Sequence, residues 1–406
     1  MFKKLTFLLY FFLPIICLGA DGGHGGNYHL DGSLENMGII WVVPFVGILL
    51  SIAIFPLVLP DFWHHNFGKI SLFWASLLII PFIIKEGVGV TLYELLHVGL
   101  LEYVPFIILL LALFTISGGV RLTGTLVGTP IVNLSIILIG TFLASWMGTT
   151  GAAMLLIRPL INANKHRKNK VHVIVFFIFL VANIGGSLTP LGDPPLFLGF
   201  LKGVDFFWTT TAMFVPMLIM IFALSIIFFF LDSYYIKKEG VKVEPQKGKV
   251  KLGIEGVFNL GLIIGVIMSV LISGFWKPHI SFEVYSGVHL ELQNLTRDIL
   301  LLILTYVSWT YTPQQIRKDN EYTWFPIVEV AKLFAGIFVT IIPAIAILKA
   351  GTNGALSGII NSVSNNGEPV NFMYFWYTGV LSSFLDNAPT YLVFFNTAGG
   401  DPITLM

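Results

Sequence analysis

The chain has 406 residues, 56% of them hydrophobic and 11% charged, with 36 Phe and a mean hydropathy of +0.85, which excludes an ordinary soluble domain. Its net charge of +1 says nothing about nucleic acid, and no nucleic-acid partner is expected. One cysteine, Cys17, excludes an intrachain disulfide and a cysteine-ligated metal site.

Residues 1–20 begin with "MFKK", continue through an apolar run and close on the small pair "GA". This is the layout of a signal peptide, with cleavage expected after Ala20; the competing reading is an uncleaved first helix. Residues 21–69 read as an exported tail and a first span. The tail, "DGGHGGNYHLDG", suits a flexible segment better than a metal site.

A hydrocarbon core about 30 Å thick needs roughly 20 apolar residues per helix. Runs of that kind predict spans near 38–59, 68–85, 101–118, 129–147, 173–190, 211–231, 254–275, 298–312, 326–348 and 371–396, with 148–161 a further apolar segment whose path is open. The predicted fold class is an all-α polytopic membrane protein, embedded in the lipid bilayer and expected in the bacterial inner membrane. Two loops are strongly basic, "NANKHRKNKVH" (162–172) and "IKKEGVKVEPQKGKVK" (236–251). An excess of Lys and Arg marks cytoplasmic loops, so both are assigned to the cytoplasm.

The second basic loop divides the chain into 70–235, repeat one; 236–253, a cytoplasmic linker; and 254–406, a linker helix with a partial repeat two. "LASWMGTTGAAMLL" (143–156) aligns without a gap on "LSSFLDNAPTYLVF" (381–394), placing Ser145 over Ser383, Gly148 over Asp386 and Thr149 over Asn387. The helix containing Glu102 aligns with the one beginning at Glu329. Positive-inside counting runs these paired helices in opposite directions, which is the inverted-topology repeat of secondary transporters.

"GGSLTPLGDPPLFLGF" (185–200) crowds proline, glycine and Asp193 into an apolar stretch. Proline lacks an N–H and glycine relaxes the backbone, so carbonyls and amides there lose helical partners. Within lipid such a break survives only where protein or a polar cavity replaces the lost bonds, and freed carbonyls can then bind a cation. An embedded carboxylate is costly and reads as functional by default, although Asp193 could also cap the next helix from a loop. "SSFLDNAPT" (382–390) repeats the recipe, with Asp386, Asn387 and Pro389 interrupting the apolar run between Ser383 and Thr390. Hydroxyls, amide oxygens and carboxylates are the ligands that hard cations take. In "SWMGTTGAA", close packing of small residues between helices competes with a binding role.

Together "GTTGAAMLLIRPL", "NIGGSLTPLGDPPLFLGFLKG" and "SFLDNAPTYLVFFN" resemble the ion transporter superfamily, specifically its citrate-transporter-like and NhaD-type sodium/proton antiporter branches, over roughly 70–406. The resemblance implies two repeats whose re-entrant hairpins and unwound helices hold sodium and substrate, commonly in a homodimer, with no other cofactor. By position it assigns the first hairpin tip to Ser145, Gly148, Thr149 and Thr150, and its unwound partner to Ser187, Thr189, Gly192 and Asp193. The second tip falls on Ser383, Asp386, Asn387 and Thr390, with Asp193 and Asp386 as sodium-ligating carboxylates. Two departures stand out: Gly148-Thr149 replaces the antiporter branch's Asp-Asn pair, and neither tip spells the Ser-Asn-Thr of the carboxylate branch. The repeat offset also carries the partner of the Asp193 loop past Met406, so repeat two is expected to be incomplete.

Other ionisable groups have plainer readings. Arg158 is expected to snorkel towards the basic loop rather than bind a carboxylate. Glu94, His97 and Glu102 fit a proton path or an amphipathic interfacial helix, and Glu329 with Lys332 fits a local pair. Three functions follow: sodium/proton antiport, the favoured one; sodium-coupled transport of citrate or a dicarboxylate; and an inactive truncated transporter or a non-transport membrane protein. No HExxH or GxSxG motif occurs, so no enzyme is expected.

Overall fold

The computed structural model describes residues 37–240, 251–365, 368–399 and 401–405. The signal peptide, the His-rich tail and most of the basic linker lie outside the described residues.

A 3-10 turn leads into α1 (Val43–Val58) and then α2 (Pro60–Val98). A π-helical turn (Gly99–Tyr103) joins α2 to α3 (Val104–Ser117). Strand β1 (Arg121–Thr123) precedes α4 (Pro130–Met147), α5 (Thr149–Ala163) and α6 (Val171–Phe177). After α6 the chain passes through a π segment (Ile178–Asn183) and a 3-10 turn (Ile184–Gly186), then α7 (Pro194–Leu201) and α8 (Trp208–Glu239). Next come β2 (Gly253–Glu255), α9 (Phe258–Phe275), the hairpin of β3 (Ser281–Tyr285) and β4 (Val288–Glu291), and α10 (Leu292–Tyr311). The remainder is α11 (Gln314–Asp319), α12 (Phe325–Thr340), α13 (Ile342–Lys349), α14 (Ser357–Val363), α15 (Asn371–Ser382), α16 (Asn387–Thr397) and α17 (Pro402–Leu405). Proline stands in the first turn of α1, α2, α4, α7 and α13, where its missing N–H costs nothing.

The protein is an all-α polytopic membrane protein. Among the described residues, five helices are long and apolar enough to cross a membrane, six if α12 and α13, bent by 40° at Ile341, count as one span. The expected spans 68–85 and 101–118 belong to one helical run, Pro60–Ser117, broken where Gly87 leaves helical geometry at φ 85°. The expected span 371–396 is two helices, α15 and α16, because Asp386 is extended and restarts the helix as its N-cap.

The described residues divide into two compact units, 37–105, 277–295 and 328–405 in one and 106–276 and 296–327 in the other. In the second unit α4 and α5 form an antiparallel hairpin. Its apex is Gly148 (φ 79°), and its open end is tied by the Gly128 N–H donating to the Ala163 carbonyl at 2.8 Å. At 1.5 Å per residue the 18 residues of α4 extend about 27 Å, and 148–161 is the arm that returns to the starting end. α6 and its continuation pack along α4, and α8 comes back to the same end, where His172 meets Asp232 at 2.7 Å. β1 pairs with β2 there, and Arg121 to Asp319 (2.5 Å) and Arg158 to Glu321 (3.0 Å) bring in the loop 312–324. Arg158 therefore docks on a neighbouring loop instead of snorkelling.

In the first unit α1 packs on α2, and α16 packs on α13 and α15. Ser71 donates to the Lys332 carbonyl (2.7 Å) and Tyr103 to the Ala331 carbonyl (2.8 Å), fastening α12 to α2 and the π-helical turn. The Lys332 ammonium lies 5.4 Å from the centre of the Phe67 ring.

Candidate functional site: two interrupted helices

The first interruption assembles the predicted residues of the second unit around one another. Thr149 N–H donates to the Gly192 carbonyl at 3.0 Å, so the apex of the α4–α5 hairpin touches the unwound stretch before α7. Ser145 Oγ donates to the Gly185 carbonyl at 2.5 Å, and Thr189 Oγ1 donates to the Ser145 carbonyl. Both side chains are buried, at 1% and 0% exposure, and each supplies a donor to a carbonyl that the helix break or the hairpin would otherwise leave short. Gly192 packs so closely that a Cβ there would stand 2.2 Å from the Gly186 carbonyl oxygen, which is why no larger residue fits. Ser187 donates to the Ile184 carbonyl (2.8 Å), closing the 3-10 turn. Thr150 is exposed at the start of α5.

Asp193 is half-buried at the N-cap position of α7, with no side-chain hydrogen bond to that helix's amides. α5 likewise starts at Gly148 with no side chain over its first N–H groups. Thr209 and Thr210, which the sequence reading passed over, donate to the Leu188 carbonyl at 3.0 and 2.6 Å. The run of three threonines opening α8 was the available signal.

The second interruption, in the first unit, groups Ser383, Asp386, Asn387 and Thr390. Asp386 Oδ1 accepts from Ala388 N–H at 2.9 Å, and Thr390 Oγ1 donates to the Asp386 carbonyl at 3.0 Å. Asn387 Oδ1 accepts from Ser382 Oγ, while Ser383 turns back to the Gly379 carbonyl (2.8 Å). Asp386 and Asn387 are exposed, whereas Thr390 is buried. The two interruptions share their register: Gly148 caps α5 and Asp386 caps α16, the pair that the sequence alignment superposes. The same offset carries Val104, where α3 starts, onto Ile342, where α13 starts, rather than onto the helix around Glu329.

No cluster of three or more His, Cys, Asp or Glu side chains occurs among the described residues. A cation at either break would therefore be held mainly by hydroxyl, amide and backbone oxygens beside one carboxylate. A buried polar network that carries no signal in the sequence closes the open end of the hairpin. Asn133 Nδ2 donates to Asn164 Oδ1 and Asp232 Oδ2, both at 3.0 Å, and the fully buried Arg167 meets Asp232 at 2.5 Å.

Long apolar helices, a hairpin returning to its own end and an unwound segment at its tip make a polytopic membrane protein with an interrupted-helix site, an arrangement common among secondary transporters. Residues 34–406 match the CitMHS_2 family, described as "Putative citrate transport", and the chain belongs to that family. No curated protein matches it. The match covers the citrate-transporter-like side of the resemblance; the antiporter side rests on the motifs alone.

Proposed function

We propose that the chain carries a small di- or tricarboxylate together with a cation, sodium or a proton. Family membership supports the carboxylate class. The observation that carries the reading is the contrast between the two breaks. α5 begins with no side chain over its first amides, whereas α16 begins beneath the carboxylate of Asp386. Beyond Thr149, whose N–H is taken by the Gly192 carbonyl, a helix start with no side-chain cap bears partial positive charge and suits a substrate carboxylate, while a carboxylate at a helix break suits a cation. In this reading Thr149 and Thr150 hold substrate oxygens. Ser145, Gly148, Ser187, Thr189 and Gly192 keep the unwound segment in place. Asp193 contributes to a cation site in the second unit, and Ser383, Asp386, Asn387 and Thr390 form the one in the first. The protein works in a bacterial inner membrane, as a homodimer, with both basic loops in the cytoplasm.

Sodium/proton antiport is the second reading, favoured by the exposed carboxylate of Asp386 at its helix break. One proteoliposome experiment separates the two. Labelled citrate uptake is measured with and without an inward sodium or proton gradient, and internal pH is followed when sodium is added without any organic anion. Cation-driven citrate uptake with no anion-independent proton movement supports the carboxylate reading. Sodium-driven proton movement without an organic anion overturns it in favour of antiport.

A further inference from the structure

Glu94 lies near the C-terminal end of α2, 7% exposed, and its Oε1 has no hydrogen-bond partner. It borders a cavity with Leu78, Phe82, Thr91, Leu95, Val339 and Ile342, large enough for about one water molecule. Residues 78–82 and 91–95 reach the same cavity because α2 leaves helical geometry between them, at Gly87. Glu102 on the π-helical turn and the exposed Lys349 at the end of α13 act on it electrostatically, Tyr93 adjoins it and His97 follows one turn later on the same helix, and none of them bonds Oε1. A buried carboxylate with an unpartnered oxygen beside hydrocarbon side chains is costly unless its charge is matched. A hard cation needs several oxygens, and this cavity offers only the Thr91 hydroxyl, which already donates to the Gly87 carbonyl at 2.8 Å. The partner that fits is a proton.

We propose that Glu94 is a proton-binding site, protonated while its carboxyl is buried and releasing its proton when the carboxyl is uncovered to water. Val339 and Ile342 stand on either side of the bend between α12 and α13, so straightening that bend would uncover the carboxyl. The step is one O–H bond broken on release, with the proton passing to water and the carboxylate left solvated; re-burial reverses it. The coupling of this proton to transport rests on the transport reading, whereas the proton site itself does not.

The test uses the full chain in lipid, compared with Glu94→Gln, which keeps the volume of the side chain and cannot ionise. Infrared difference spectra between acidic and alkaline buffer should contain a protonated-carboxyl stretch that is lost in Glu94→Gln. An unchanged spectrum in the variant overturns the proposal. Citrate uptake against external pH is then measured for both proteins, with Glu94→Leu as a second non-ionisable variant. Both variants should lose the pH dependence of the parent; a parent-like profile in both overturns the coupling. Loss of the infrared band with no uptake by the parent under any gradient would instead count against the transport reading and leave the proton site standing.

Discussion

At the scale of single residues, the first interruption depends on side chains that are small or that donate to backbone. Gly192→Ala would push a methyl group into the Gly186 carbonyl oxygen, and overpacking of this kind costs roughly 1–3 kcal/mol. The expected outcome is a lower melting temperature in detergent together with loss of citrate uptake; a parental melting temperature would show that the contact yields. Asp386→Asn separates charge from capping, since asparagine caps a helix about as well as aspartate. Membrane insertion and melting temperature should hold while cation-dependent uptake is lost, and undiminished uptake at low sodium would remove Asp386 from the cation site. The residues of both breaks were legible in the sequence, because Gly, Pro, Asp and hydroxyl residues within apolar runs betray backbone that cannot stay helical. Thr209 and Thr210 were not, because their acceptor, Leu188, comes near only when α8 folds back.

At the scale of elements, the α4–α5 hairpin is closed at one end by glycine geometry and at the other by a buried polar network. Asp232 accepts from Asn133 and His172 and pairs with Arg167, whose guanidinium has no exposed surface. Removing one partner of such a pair leaves an uncompensated buried charge, at a cost of about 3–5 kcal/mol. Asp232→Asn should therefore lower expression and melting temperature sharply, while Lys168→Gln, on the exposed side of the same loop, should change neither; equal tolerance of both would mean that the network is not structural. In the sequence 162–172 is simply a basic loop, and its charge pattern points to water. That Arg167 turns inward could not be read there, since Asp232 lies on a helix whose return path composition does not specify.

At the scale of the molecule, the described chain forms two compact units, with boundaries inside α3, α10 and α12 and just past the end of α9. Within the second unit the ion pairs of Arg121 and Arg158 and the pairing of β1 with β2 gather 119–128, 163–172, 253–255 and 312–324 at one end. Lys168 and Lys318 are both exposed there. With Cys17 replaced by serine, Lys168→Cys and Lys318→Cys should react with a membrane-impermeant thiol reagent from the same side of the membrane, the cytoplasmic side by the positive-inside rule. Labelling from opposite sides would break the hairpin topology.

Composition and hydropathy alone determined that this is a polytopic helical membrane protein, because burying uninterrupted apolar runs in lipid is a property of each segment by itself. The breaks at 148, 185–193 and 386, and their shared register, were likewise local consequences of residue type. Tertiary structure alone decided that 148–161 turns back along α4, that Arg158 and Arg167 find partners within the protein, and that Glu94 is buried beside a small apolar cavity. Each of these depends on which distant segment lies alongside, and hydropathy is much the same for a lipid neighbour as for a protein one.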